Sequence, residues 1–165
     1  MLGDPDPSSS DVPIPVTGLG SGVRGITAGA HHACALTQPG AVKCWGSNEF
    51  GQLGDGTTWR ETPVAVAGLS SGVTAVSLGV SHSCTVLTSG VLKCWGANNN
   101  GELGDGTRTN RLTPTRVVGL AGGVASVGAG SYHTCAATTR ARRSAGARTT
   151  TARSATAPGP GAWRR

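Results

Sequence analysis

Residues 34–57 read CALTQPGAVKCWGSNEFGQLGDGT, and residues 84–107 read CTVLTSGVLKCWGANNNGELGDGT. The two stretches are offset by 50 residues without a gap and agree at 13 of 24 positions. A period of that length marks a repeat architecture, in which each unit buries its apolar face against its neighbours.

Working outward, each copy follows one scheme. Residues 22–29 and 72–79 alternate as half-buried strands. Residues 32–37 and 41–46 form a hairpin around Gln38-Pro39-Gly40; residues 82–87 and 91–96 do the same around Thr88-Ser89-Gly90. Glycine stands last in both turns, where three-residue hairpin loops need positive φ. The Asn48-Glu49-Phe50-Gly51 and Asp55-Gly56 segments are turn chemistry, with Leu53 expected to plug the core between them. Residues 62–66 and 114–118 supply a fourth short strand. Four antiparallel strands per copy make a propeller blade.

The blocks Gly29-Ala30-His31-His32-Ala33-Cys34-Ala35-Leu36, Trp45-Gly46-Ser47-Asn48 and Gly51-Gln52-Leu53-Gly54-Asp55-Gly56-Thr57 resemble the regulator-of-chromosome-condensation repeat. The resemblance covers residues 13–137 and implies a seven-bladed β-propeller, of which this chain holds too few repeats to close a ring. The expected fold class is all-β: an incomplete β-propeller of four-stranded blades with a disordered C-terminal tail. The expected organisation is 1–19 as the remnant of a preceding repeat, 20–69 and 70–120 as two blades, and 121–137 as the start of a third. The remnant rests on two echoes: Leu2-Gly3-Asp4 of Leu53-Gly54-Asp55, and Pro13-Ile14-Pro15-Val16 of Pro63-Val64-Ala65-Val66.

Residues 138–165 depart from the pattern: they hold seven arginines, no acids and no repeat. Joining each free third codon base to the fixed first two bases of the next codon, from Arg143 onward, permits KCWGANDYGQVGDGT. That string is the missing continuation of the repeat, so the tail reads as out of frame and is expected to be disordered. The rival reading is a genuine Arg-rich arm for acidic partners. The tail also explains the net charge of +6. Residues 1–137 hold seven basic and eight acidic side chains, a net of −1. A phosphate-binding footprint belongs on the folded surface, so nucleic acid is expected only nonspecifically, through the tail.

Cys34 and Cys44 flank one hairpin turn and Cys84 and Cys94 the other, each pair directly opposed if the turn centres on residues 39 and 89. Opposed strand positions approach disulfide range. Reduced core cysteines and a zinc site using His32 or His82 are the alternatives, although close Cys-x-x-Cys or His-x-x-x-His spacings are absent. Disulfides would put the parent protein outside the cell or at its surface; reduced thiols would suit the cytoplasm. Cys135 lacks a second cysteine to pair with and is expected to be free.

His32, His82 and His133 recur at one repeat position, which suits hydrogen bonding within a blade better than catalysis. Trp45 and Trp95 read as blade core, and Asp55 and Asp105 as turn residues. The Gly-rich residues 51–56 are no phosphate loop, because neither Lys-Ser/Thr nor a helix follows. No enzyme activity, cofactor or metal is expected, and no apolar run is long enough to span a bilayer.

Residues that differ between copies are the better binding candidates: Phe50, Trp59, Arg60, Arg108, Arg111 and Tyr132. Aromatic and Arg side chains dominate binding hot spots. The expected function is a non-enzymatic scaffold for protein–protein binding. The resemblance also implies guanine-nucleotide exchange on a small GTPase, or chromatin binding, and similar secreted bacterial propellers include β-lactamase inhibitors. Fold alone does not choose among these.

Overall fold

A computed structural model describes residues 3, 10–57, 59–120, 122–141 and 148–154. Among them the regular elements are eleven strands in three antiparallel sheets. The first blade is β1 (Val23–Ala28), β2 (His32–Thr37), β3 (Val42–Ser47) and β4 (Trp59–Ala65), paired in chain order. The second is β5 (Val73–Leu78), β6 (His82–Leu87), β7 (Leu92–Gly96) and β8 (Arg111–Arg116). A third sheet joins β9 (Val124–Ala129), β10 (Thr134–Ala141) and β11 (Arg148–Ser154), with β10 in the middle.

The hairpin arithmetic holds: Cys34 pairs with Cys44 and Cys84 with Cys94. Gly40 takes φ +97° at the first turn and Gly90 +73° at the second, as the loop closure requires. The fourth strands begin three residues earlier than the sequence suggested. Ser47 pairs with Trp59 and Gly96 with Arg111, after a register shift in each blade between the cysteine and the glycine of Cys-Trp-Gly. The shift lets the outer strand follow the twist of the blade up to the Asp turn.

The blades are not self-contained. Successive residues of a strand face opposite sides of its sheet, and each side here meets a different neighbour. Cys34, Val42, Cys44, Leu53, Val66 and Leu69 of the first blade form one buried core with Val73, Leu78 and Trp95 of the second. Cys84, Val86, Leu92, Cys94, Leu103 and Val117 form the next core with Val124 and Ala136 of the third sheet. Every junction therefore joins the rear face of one blade, carrying the cysteines, to the front face of the next.

Two places outside the blades matter. Gly3 stands against Trp45 much as Gly54 stands against Trp95. A Cβ on Gly3 would come 2.6 Å from Val16 Cγ1 and 3.0 Å from Trp45 Nε1; on Gly54 it would come 2.8 Å from Val66 Cγ1 and 2.6 Å from Trp95 Nε1. The expected tail is described at two places. Residues 138–141 extend β10, and residues 148–154 pair with it as β11. The run Thr149-Thr150-Thr151 is β-branched, and strand pairing uses backbone groups whatever the side-chain pattern. The rest of the expected tail lies outside the described residues.

Candidate functional site

The loops fall on two rims. One carries the connections from first to second and from third to fourth strand, including the Asn–Asp turns; the other carries the hairpin turns. On the Asp-turn rim each blade builds the same hydrogen-bonded loop. Asn48 Nδ2 donates to Asp55 Oδ1 (3.2 Å) and to Thr57 O (2.7 Å), and Leu53 N donates to Asn48 Oδ1 (2.8 Å). Thr57 donates to the Asp55 carboxylate through both N and Oγ1. The second blade repeats this with Asn98, Leu103, Asp105 and Thr107. Buried Asn48 and Asn98 thus replace the backbone partners that a loop lacks.

An arginine closes each loop: Arg60 Nε lies 3.3 Å from Asp55 Oδ2, and Arg111 Nε 2.7 Å from Asp105 Oδ2. Burial alone would raise both carboxyls. The hydrogen bonds from the threonine, together with the arginine and the asparagine, outweigh it and hold both below the ordinary carboxylate value.

The sequence-derived candidates all stand at this rim. Half-buried Phe50 lies in the 48–51 turn, its N–H donating to Gln52 Oε1 at 3.0 Å. Trp59 and Arg60 open β4, and Arg111 opens β8. Arg108 is exposed in the loop before β8, and Tyr132, 62% exposed, lies in the turn between β9 and β10. The blades are interlocked here: Gly56 N donates to Leu112 O at 3.1 Å, so the first blade's loop rests on the second blade's outer strand. Arg60 and Arg111 are engaged by the aspartates, so they brace the rim as well as presenting charge.

A polar relay crosses each junction just beneath. His32 Nε2 and Ser83 Oγ are 2.9 Å apart, and Ser83 Oγ donates to Gln52 O at 2.7 Å, which Trp95 Nε1 also reaches at 2.8 Å. At the next junction His82 Nε2 meets Thr134 Oγ1 at 3.0 Å, and Thr134 Oγ1 donates to Glu102 O at 2.9 Å. His32 Nδ1 is buried without a hydrogen-bond partner. Burial, then the neighbouring His82 and His31, pushes the His32 pKa down to about 4. His82 is also lowered by burial, with Glu102 opposing and His133 assisting.

The sequence had marked these histidines as blade hydrogen bonding. It had not singled out Ser83 and Thr134, because position 33 of the first copy is Ala. An open cleft of about 250 Å³ lies at the front of the first blade between Trp45, His31 and His32. It corresponds to the place that Gln52 fills before the second blade.

The cysteine pairs lie at the rear faces. Cys34 and Cys44 sulfurs are 2.03 Å apart and those of Cys84 and Cys94 2.14 Å, both disulfide distances. Cys135 is free and exposed. Among the described residues no group of three or more His, Cys, Asp or Glu is placed to hold a metal, and no helix is long and apolar enough to cross a membrane.

Interlocked four-stranded blades with repeating Asn–Asp turns define a propeller built from sequence repeats. The profile of the regulator of chromosome condensation (RCC1) repeat matches residues 39–86 and 89–137, and a second profile of the same repeat matches 23–52 and 73–102. The chain belongs to the RCC1 repeat family. No curated protein sequence matches it. Among solved structures, yeast RCC1 (Prp20) bound to Kap60 is similar at 25% identity and TM-score 0.62, over 71% of this chain and 30% of that one. Prp20p from Saccharomyces cerevisiae, described with its binding to Gsp1p and histones, gives 26% identity and TM-score 0.60 over 71% and 31%. Human WBSCR16 gives 27% identity and TM-score 0.60 over 68% and 30%. The chain thus spans about a third of the length of these propellers.

Proposed function

We propose that the chain is a non-enzymatic protein-binding scaffold that presents its Asp-turn rim to a protein partner. One observation supports this reading most: six residues that vary between repeats and have hot-spot chemistry stand at one rim, where buried asparagines brace the long loop of each full blade. The hairpin turns of the opposite rim offer Gln38, Pro39, Thr88 and Ser89, which are exposed but uncharged. Rigid loops lower the entropy cost of binding, and aromatic and Arg side chains supply its energy. The cysteine pairs at disulfide distance favour an oxidising compartment for the parent protein.

The test immobilises the full chain beside two triple variants, Phe50→Ala/Arg108→Ala/Tyr132→Ala and Gln38→Ala/Thr88→Ala/Ser89→Ala. Proteins retained from a secreted fraction should be lost with the first variant and kept with the second. Equal retention by both would remove the rim from consideration.

A second reading, guanine-nucleotide exchange, draws on the similarity to Prp20p and its binding to Gsp1p. It predicts faster release of a fluorescent guanine nucleotide from Gsp1p. The scaffold reading predicts no acceleration by this chain.

A further inference from the structure

We propose that the chain adds to a second copy of itself head to tail, the third sheet of one copy docking on the front of the first blade of the next. Each internal junction pairs a rear face with a front face, and one of each is left partly uncovered: Trp45 is buried beside Gly3 and Val16, while the inner strand beside it is open. At the front of the first blade, Ile26 is 63% exposed. Its repeat equivalents, Val76 and Val127, are packed against the two buried cores. At the rear of the third sheet, Cys135 is exposed, whereas its equivalents Cys34 and Cys84 are 0% exposed beneath the following blade. The two free faces are thus the halves of an interface that the chain already forms twice.

The strand count agrees. Among the described residues the third sheet has three strands with β11 at its edge, whereas each blade has four. At the other end of the chain, residues 3 and 16–19 already hold the arrangement found beyond an outer strand. Thr17 N donates to Gly3 O at 3.1 Å, as Ala67 N does to Gly54 O at 2.9 Å and Val118 N to Gly104 O at 2.9 Å. Leu19 N donates to Val16 O at 3.1 Å, as Leu69 N does to Val66 O at 3.2 Å. Residues 10–19 nevertheless belong to no sheet. Three strands from one copy and this segment from the next complete one blade, so the contact is heterologous and continues from copy to copy.

The joint is weaker than the internal ones for a definite reason. His133 is the equivalent of His32 and His82, which bond Ser83 and Thr134 across their junctions. In the next copy His133 would meet Ala33, which has no hydroxyl.

Sedimentation of the full chain over a wide concentration range tests this. The wild type should grow from monomer into a series of multiples, and alkylation of Cys135 should slow in step. Ile26→Asp blocks only the front face and Cys135→Asp only the rear, so each alone should remain monomeric. An equimolar mixture of the two should give a dimer and stop there, because only one productive pair of faces remains. Ala33→Ser should tighten assembly about three- to tenfold by giving His133 a partner. Near-UV circular dichroism and intact disulfide mass check that each variant folds; Ile26→Thr and Cys135→Ser serve as milder substitutes, expected to weaken assembly rather than abolish it. A wild type monomeric at every concentration, single variants that still assemble, or a mixture that stays monomeric would overturn the proposal. So would association that proves on a non-reducing gel to be only a Cys135–Cys135 cross-link.

Discussion

The junction between the first and second blades and the junction between the second blade and the third sheet obey one plan with different masses. In the first, Trp95, Val73 and Leu78 close over Cys34, Cys44 and Leu53. In the second, Val124 and Ala136 close over Cys84, Cys94 and Leu103, with Val127 and Leu120 at the margin. Polar pairing is conserved in kind, serine at one junction and threonine at the other. The difference lies in apolar volume, and above all in the indole, which also donates to Gln52 O. Apolar burial contributes roughly 25 cal/mol per Å², so among the described residues Val and Ala in place of Trp, Val and Leu make the second junction the lighter of the two. A repeat array is about as stable as the sum of its junctions, and this one is graded.

The comparison breaks most visibly at Trp95. Trp95→Ala should cost about 3–5 kcal/mol in urea melts, and Val124→Ala about 1–3. Equal losses would show that the two junctions carry the same weight.

Acid should separate the junctions next. The His32 pKa is about 4 in the folded state against 6.5 unfolded. The unfolded chain therefore takes up the proton first. This histidine's contribution is whole above pH about 6.5 and is lost as pH falls towards 4, up to about 3 kcal/mol. Melts at pH 7.5 and 4.5 should show that loss in the wild type and much less of it in His32→Asn. His82→Asn should change the pH slope less, because Glu102 opposes its depression.

The disulfides come third. Replacing Cys34 and Cys44 by Ala should cost about 2–3 kcal/mol from the short loop alone. The same change at Cys84 and Cys94 opens a loop of equal length, at sequence separation 10 in both pairs. Any difference between the two double variants therefore measures packing at the two junctions and not loop entropy.

The smallest effect concerns the turn arginines. Asp105 is 2% exposed and Asp55 9%. Arg111→Ala should cost about 1–2 kcal/mol, since it strips a partner from a buried carboxylate, whereas Arg60→Ala should cost under about 1. Equal costs in thermal melts would remove this distinction.

Much of this plan was legible in the chain. The 50-residue offset set the blade, and the positions of Cys34 and Cys44 about Pro39 set their pairing. Leu53 announced itself as core by lying between two turns, and it is fully buried. The His–hydroxyl relay was not legible, because Ser83 lies 51 residues beyond His32 and carries a different residue in every copy. The early start of β4 and β8 was hidden because Trp59-Arg60 and Arg111-Leu112 look like loop until their aspartate partners are placed. Strand pairing over residues 138–141 and 148–154 was not legible, because their composition lacks an apolar alternation, whereas threonine-rich backbone pairs without one. The candidate rim was legible only as a set of differences between copies; that these differences share one side needed the strand directions.

One feature has a temporal meaning. Each cysteine pair lies on a rear face and is sealed by the blade that follows it. Reductant reaches sulfur only after that blade has swung away, so loss of each cross-link clocks the opening of one junction. Cys84–Cys94 lies under the lighter lid and Cys34–Cys44 under the heavier one. In mild dithiothreitol the chain should come apart as a zip opened from its C-terminal end, with a one-disulfide species retaining Cys34–Cys44 along the way.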